Sequence, residues 1–105
     1  MITKKQYIRE AMLCIASFCL TRKKRHVIES LIIRMFRIKK NNIEELIEHG
    51  ALERITVSVM RSGMINSSLY IVDKKALRLT DKAIEELREL HPALDFDLRL
   101  LKELP

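Results

Sequence analysis

An α+β fold is predicted by three features of the sequence. Apolar residues recur at helical spacing from Ile8 to about Ile47, alternate at period two from Ile55 to Val59, and return to helical spacing after Thr80. Thirteen Ile and fifteen Leu supply core side chains, while only two Gly, two Pro and no Trp occur, a balance suited to few, long elements. At 105 residues, 48% apolar and 32% charged, the chain is expected to form one domain over 1–105. Collagen-like, disordered and loop-rich disulfide classes are excluded by the same composition.

The first element announces itself by a capping box, Thr3-Lys4-Lys5-Gln6, in which hydroxyl and amide side chains satisfy two orphan backbone amides. A helix is expected from there to about Leu20, with Ile8, Ala11, Met12, Ile15, Phe18 and Cys19 at helical spacing. Because Leu13, Cys14 and Ala16 make it apolar almost all round, burial on more than one side is expected. A basic joint, Thr21–Arg25, precedes a second helix from about Lys24 to Arg37. Val27, Ile28, Leu31, Ile32 and Met35 should mark its inner face, with Arg34 and Arg37 outside.

Asn42-Ile43-Glu44-Glu45 is a further capping box and is the preferred start of the third helix, the alternative being a start near Lys39 with Asn42 internal. Gly50 supplies its stop. Ile55, Val57 and Val59 alternate with Arg54, Thr56 and Ser58 as in a half-buried strand, and Arg61–Asn66 carries turn chemistry around Gly63. A second strand over Ser68–Val72 and a short extended piece over Ala76–Leu79 follow. Thr80 caps a helix to about Leu90, Pro92 breaks it, and Ala93–Leu104 forms a last helix with Leu94, Leu98 and Leu101 on one face.

Charge is distributed unevenly. Residues 1–40 hold eleven Lys/Arg and two acids, whereas 41–105 hold nine bases and twelve acids, so the net +6 conceals a strongly basic N-terminal part. Such a part suits a polyanionic partner. Arg22, Lys23, Lys24 and Arg25 stand together at a joint between helices, where cations are unfavourable unless an anion joins them; the alternative is a solvated turn. Arg37, Lys39, Lys40, Asn41 and Asn42 precede or open the third helix, and these residue types suit phosphates and base edges. Either Asn could instead serve only as a cap. Arg61 and Asn66 bracket the hairpin tip, and Arg54, Lys74, Lys75 and Arg78 add charge nearby.

Catalytic and metal-binding chemistry find no support. His26, His49 and His91 are far apart, no nucleophile–base pattern occurs, and Gly63 alone cannot cradle a phosphate. No cofactor, metal or small-molecule ligand is therefore expected. Cys14 and Cys19, five residues apart on one helix, cannot readily bridge each other and are expected as buried thiols in a reducing cytoplasm, with an intermolecular bridge left open. The apolar run Ala11–Leu20 is too short to cross a membrane and lacks the pattern of a secretory signal.

Helix, helix, helix, hairpin, helix is the element order of the winged helix. Ile43–Ile55 resembles the passage from a recognition helix into the first wing strand, and Leu77-Arg-Leu-Thr80-Asp-Lys-Ala-Ile-Glu-Glu-Leu87 resembles the wing exit of PadR-like and MarR-like regulators. The sequence is also similar to small winged-helix proteins of archaeal viruses. The resemblance covers about residues 20–90, with Lys82-Ala83 where the family often has Lys-Gly. It implies an intracellular regulator that binds double-stranded DNA, reading bases with the third helix and touching backbone with the wing. That helix is about one turn shorter than usual and carries Glu44, Glu45 and Glu48, which limits groove contact to its first turn. A winged helix used as a protein-interaction module is the alternative. A homodimer built on 1–20 and 81–105 is expected, since the apolar faces of those segments exceed what one small core covers; the alternative is a terminal helix that folds back over the first.

Overall fold

The computed structural model describes residues 3–63 and 69–105. Among them the fold is α+β: helices α1 (Lys4–Arg22), α2 (Glu29–Phe36), α3 (Lys40–Glu48), α4 (Asp81–Leu90) and α5 (Asp95–Glu103), with strands β1 (His26–Ile28), β2 (Leu52–Ser62) and β3 (Leu69–Leu79). The strands form one antiparallel sheet in the order β1-β3-β2. A single 3-10 turn, Pro92–Leu94, separates α4 from α5.

Helix α1 begins as its capping box requires. The Gln6 amide donates to Thr3 Oγ1 at 3.2 Å, and the Thr3 amide donates to Gln6 Oε1 at 3.0 Å. Ile8, Ala11, Met12, Ile15, Ala16 and Cys19 are buried, but Cys14 and Ser17 face solvent, so burial runs along one broad side. Cys14 is thus exposed, contrary to the expectation of two buried thiols. Cys19 is buried, and desolvation pushes its thiol up to about 11 against the pull of Arg22, leaving it protonated and unreactive.

The second helix starts later than expected, at Glu29 rather than near Lys24. His26–Ile28 is a strand instead, paired as His26↔Arg78, Val27↔Leu77 and Ile28↔Ala76. Sheet hydrogen bonds outcompete a further helical turn here because β3 offers a free edge and Val27 gains complete burial. With α2 so shortened, Met35 is 54% exposed rather than inward. Helix α2 ends on Arg37 in the left-handed conformation (φ 54°).

Helix α3 starts at Lys40 with Lys39 as an uncapped N-cap, so Asn42 is internal and its amide donates to the Lys39 carbonyl at 3.0 Å. The Asn42 capping box is not formed. Ile43 and Leu46 point into the core, and Gly50 turns the chain at φ 84°, where a side chain would be strained.

Strands β2 and β3 pair along their whole length from Leu52↔Leu79 to Ser62↔Leu69, and β3 runs unbroken through the two pieces expected from sequence. Eleven residues reach roughly 35 Å, which accounts for much of the 50 Å long axis. The helices cover the sheet face that carries Val27, Leu52, Leu77 and Leu79, all at most 2% exposed. Register then places Ile55, Val57 and Val59 on the other face, half-buried, beside Ala76, Lys74 and Val72 in turn. The alternation read from the sequence is present, but its apolar stripe faces away from the helical core.

Thr80 joins the end of the sheet to α4. Its hydroxyl accepts from the Ala83 amide (3.1 Å) and donates to the Gly50 carbonyl (2.6 Å), linking three elements. Helix α5 returns across α1 and α4, with Leu98 and Leu101 buried in this chain's own core and Leu94 partly so. Replacing Thr80 by Ala should therefore cost about 1–2 kcal/mol, a cap plus a hydrogen bond. Thr3→Ala, which removes only an exposed cap, should cost less; urea unfolding of the two variants measures the difference.

Candidate nucleic-acid interface

Lys40 opens α3, and the chain pairing brings it next to residues more than thirty positions away. A cleft of about 510 Å³ is lined by Ile28, Glu29, Ser30 and Ile33 from the start of α2, Lys40 and Glu44 from α3, Arg54 from β2, and Lys74 and Lys75 from β3. It opens where β1 ends: the last β1 pair is Ile28↔Ala76, and Lys75 and Lys74 are the next residues along β3.

At its floor Arg54 holds two carboxylates. Its Nη2 donates to Glu29 Oε1 and to Glu44 Oε1, each at 2.6 Å, and its Nε donates to Glu29 Oε2 at 3.3 Å. Glu29 is only 8% exposed, so this partner is what allows a carboxylate to sit there. The Arg54 hydrogen bond, helped by the nearby charges of Lys40 and Lys75, holds the Glu44 carboxyl below its ordinary 4.5. The two glutamates raise the Arg54 guanidinium in turn, so it stays charged throughout. Lys40, Lys74 and Lys75 have no carboxylate within ion-pair distance among the described residues. Two carboxylates against four cations leave the cleft positive.

The basic joint lies elsewhere and divides in two. Arg25 is drawn inward: its guanidinium bonds Asp81 at 2.6 Å and the Leu79 and Lys102 carbonyls at 3.3 and 3.5 Å. Asp81 is held below its usual range by that contact. Arg25 thus ties the joint to α4 and α5. Arg22, Lys23 and Lys24 remain exposed, with Arg22 stacked 5.3 Å from the Phe18 ring centre and Lys23 in the left-handed conformation that ends α1. Of these, Lys24 and Arg22 act with Arg78 on His26, whose pKa is lowered from 6.5 first by burial and then by those three charges. This second positive group is separated from the cleft by the length of β1.

Lys39 and Asn41 are exposed beside Lys40, and Asn42 is half-buried in the first turn of α3. Arg37, also exposed, borders a different depression with Tyr7, Glu10, Cys14 and Phe36. Arg61 lies near the hairpin end opposite Tyr70. Asn66 falls outside the described residues. From sequence Lys74 and Lys75 count only as charge near the hairpin, although a lysine doublet inside an otherwise β-patterned strand is a visible signal. Their meeting with Lys40 follows from strand pairing, which periodicity does not supply.

Among the described residues no group of three His, Cys, Asp or Glu side chains could hold a metal ion, and no helix is long and apolar enough to cross a membrane. Comparison of the chain with known protein families, with curated proteins and with solved structures finds no match.

If Arg54 is the clamp of this site, Arg54→Ala should lower the unfolding midpoint by stranding Glu29. The same change in a Glu29→Gln background should lower it much less, since no buried charge is then left unpaired. Thermal melts of the three variants give the coupling directly.

Proposed function

We propose that the chain is a winged helix that binds duplex DNA through the positive cleft and the first turn of α3, acting by binding alone in the manner of a transcriptional regulator. The observation that carries this reading is that Lys40, Lys74 and Lys75, without acidic partners among the described residues, all line a cleft whose carboxylates are already held by Arg54. Lys75 does so from the helix side of β3 and Lys74 from its other face, at the edge that β1 leaves open. Unpaired lysines around a concave surface neutralise phosphates and release counterions. In this reading Lys39 and Lys40 hold the backbone, and Asn41 and Asn42 meet base edges from the first helical turn. The element order and the three-stranded sheet support the winged-helix assignment, with β2 and β3 as the wing. Arg61 stands near its end, and Arg22, Lys23 and Lys24 add a second backbone contact.

One observation favours a different use. Glu44, Glu45 and Glu48 occupy the later turns of α3, where an inserted recognition helix would meet phosphates. A winged helix that presents this surface to a protein is the second reading.

Fluorescence anisotropy with a 20-base-pair duplex across a range of salt concentrations separates the two. DNA binding predicts affinity that falls steeply with salt. The triple change Lys40→Ala, Lys74→Ala and Lys75→Ala should reduce the log–log salt slope by about 3, near 0.9 for each lost phosphate contact. Absent or salt-insensitive binding by a folded protein would favour the protein-interaction reading.

A further inference from the structure

Among the described residues, the outer edge of β2 and the apolar stripe beside it have no partner. β2 lies at the sheet edge, eleven residues long, without proline, glycine or bulge. Long regular edges of this kind are what protein sheets ordinarily block. Pairing parity shows which backbone groups the edge offers. The Thr80 amide donates to the Ala51 carbonyl, so the Ala51–Thr80 pair is of the hydrogen-bonded type, and alternate pairs toward the hairpin end follow it. The odd-numbered residues of β2 therefore spend their backbone groups on β3. The N–H and C=O groups of Arg54, Thr56, Ser58 and Met60 point outward.

The side chains along this edge are self-complementary about Val57. In an antiparallel pairing of two copies centred there, Val57 faces Val57 of the second copy, Ile55 faces Val59, and Glu53 faces Arg61. Opposite charges meet at both ends and apolar groups between them. These are also the non-hydrogen-bonded pairs, whose side chains approach most closely. Thr56 and Ser58 pair across the other face, and the outward backbone groups form about eight intermolecular hydrogen bonds. Glu53 already contacts Arg78 of its own chain, and a carboxylate can accept from a second guanidinium.

We infer that this chain forms a homodimer by antiparallel pairing of β2 with β2 of a second copy, giving one continuous six-stranded sheet. The half-buried stripes of the two copies merge into a single apolar band. The two-fold axis stands perpendicular to the sheet, so the helices and the Lys40 clefts of both copies lie on the same side. The edge of β3 beyond β1 offers no such match: centred on Val72 it sets Tyr70 against Lys74 and Ile71 against Asp73. The segment expected from sequence to dimerise has less to offer, since Leu98 and Leu101 are buried within the chain and leave Phe96 and Leu100 as the exposed apolar residues of α5.

The test combines mass and cross-linking on the full chain. Light scattering at micromolar concentration should give twice the mass of 12.4 kDa. Val57→Lys, which sets like charges on the axis, and Thr56→Pro, which removes only an outward donor, should each give monomers with unchanged far-ultraviolet circular dichroism. In a Cys14→Ser background, Val57→Cys should oxidise to a covalent dimer, because facing Cα atoms about 4.5 Å apart lie within disulfide reach. Met60→Cys, which faces Arg54 of the second copy, should not. A monomeric protein at 100 µM overturns the inference. So does a dimer that survives both substitutions and gives no Val57→Cys cross-link, which would place its interface elsewhere.

Discussion

The orientation of the two short helices against the sheet rests on one guanidinium. Arg54 leaves β2 and reaches both Glu29, the first residue of α2, and Glu44, one turn into α3. Neither short helix has a side-chain N-cap, and neither is long enough to be stable alone. Packing of Ile32, Ile43 and Leu46 supplies their burial, while Arg54 fixes how their first turns approach β2 and β3. The same contact has an electrostatic consequence. By occupying both carboxylates it leaves Lys40, Lys74 and Lys75 as the groups that determine what the cleft attracts.

A second constraint is the three-residue strand β1. It converts a hairpin into a sheet, shortens α2, and stops at Ile28 so that Lys75 and Lys74 are left at an open edge. Arg25, just before it, is anchored on Asp81 and on carbonyls of β3 and α5. One basic run thereby contributes both a tether for the C-terminal helices and three exposed cations.

The elements that could be read from sequence were those with local chemistry. The Thr3/Gln6 box, the Gly50 turn, the Thr80 cap and the Pro92 break each act within a few residues, and each is where its residue types require. What escaped depended on distant partners. His26–Ile28 is too short for any period to show, and it is a strand only because Ala76–Arg78, about fifty residues on, presents an edge. Asn42 offered a plausible cap, but the chain entered α3 earlier, through an extended Lys39. Met35 kept helical spacing with residues that belong to a strand. For the candidate site, the cations of 37–42 were visible as a group; their company with Lys74, Lys75 and Arg54 was not, because it arises from sheet register. The alternation of β2 was visible too, yet period two fixes only that two faces differ, not which one meets the helices.

Under the proposed function, a nucleic acid duplex sits in the cleft between α2, α3 and β3. Amide chemical-shift mapping with a short duplex tests that most directly. The predicted footprint comprises Lys39–Ile43, Arg54 and Lys74–Lys75, with smaller changes at Arg22–Lys24. Changes confined to α5 and the far side of α1, or no change at saturating duplex, would contradict it.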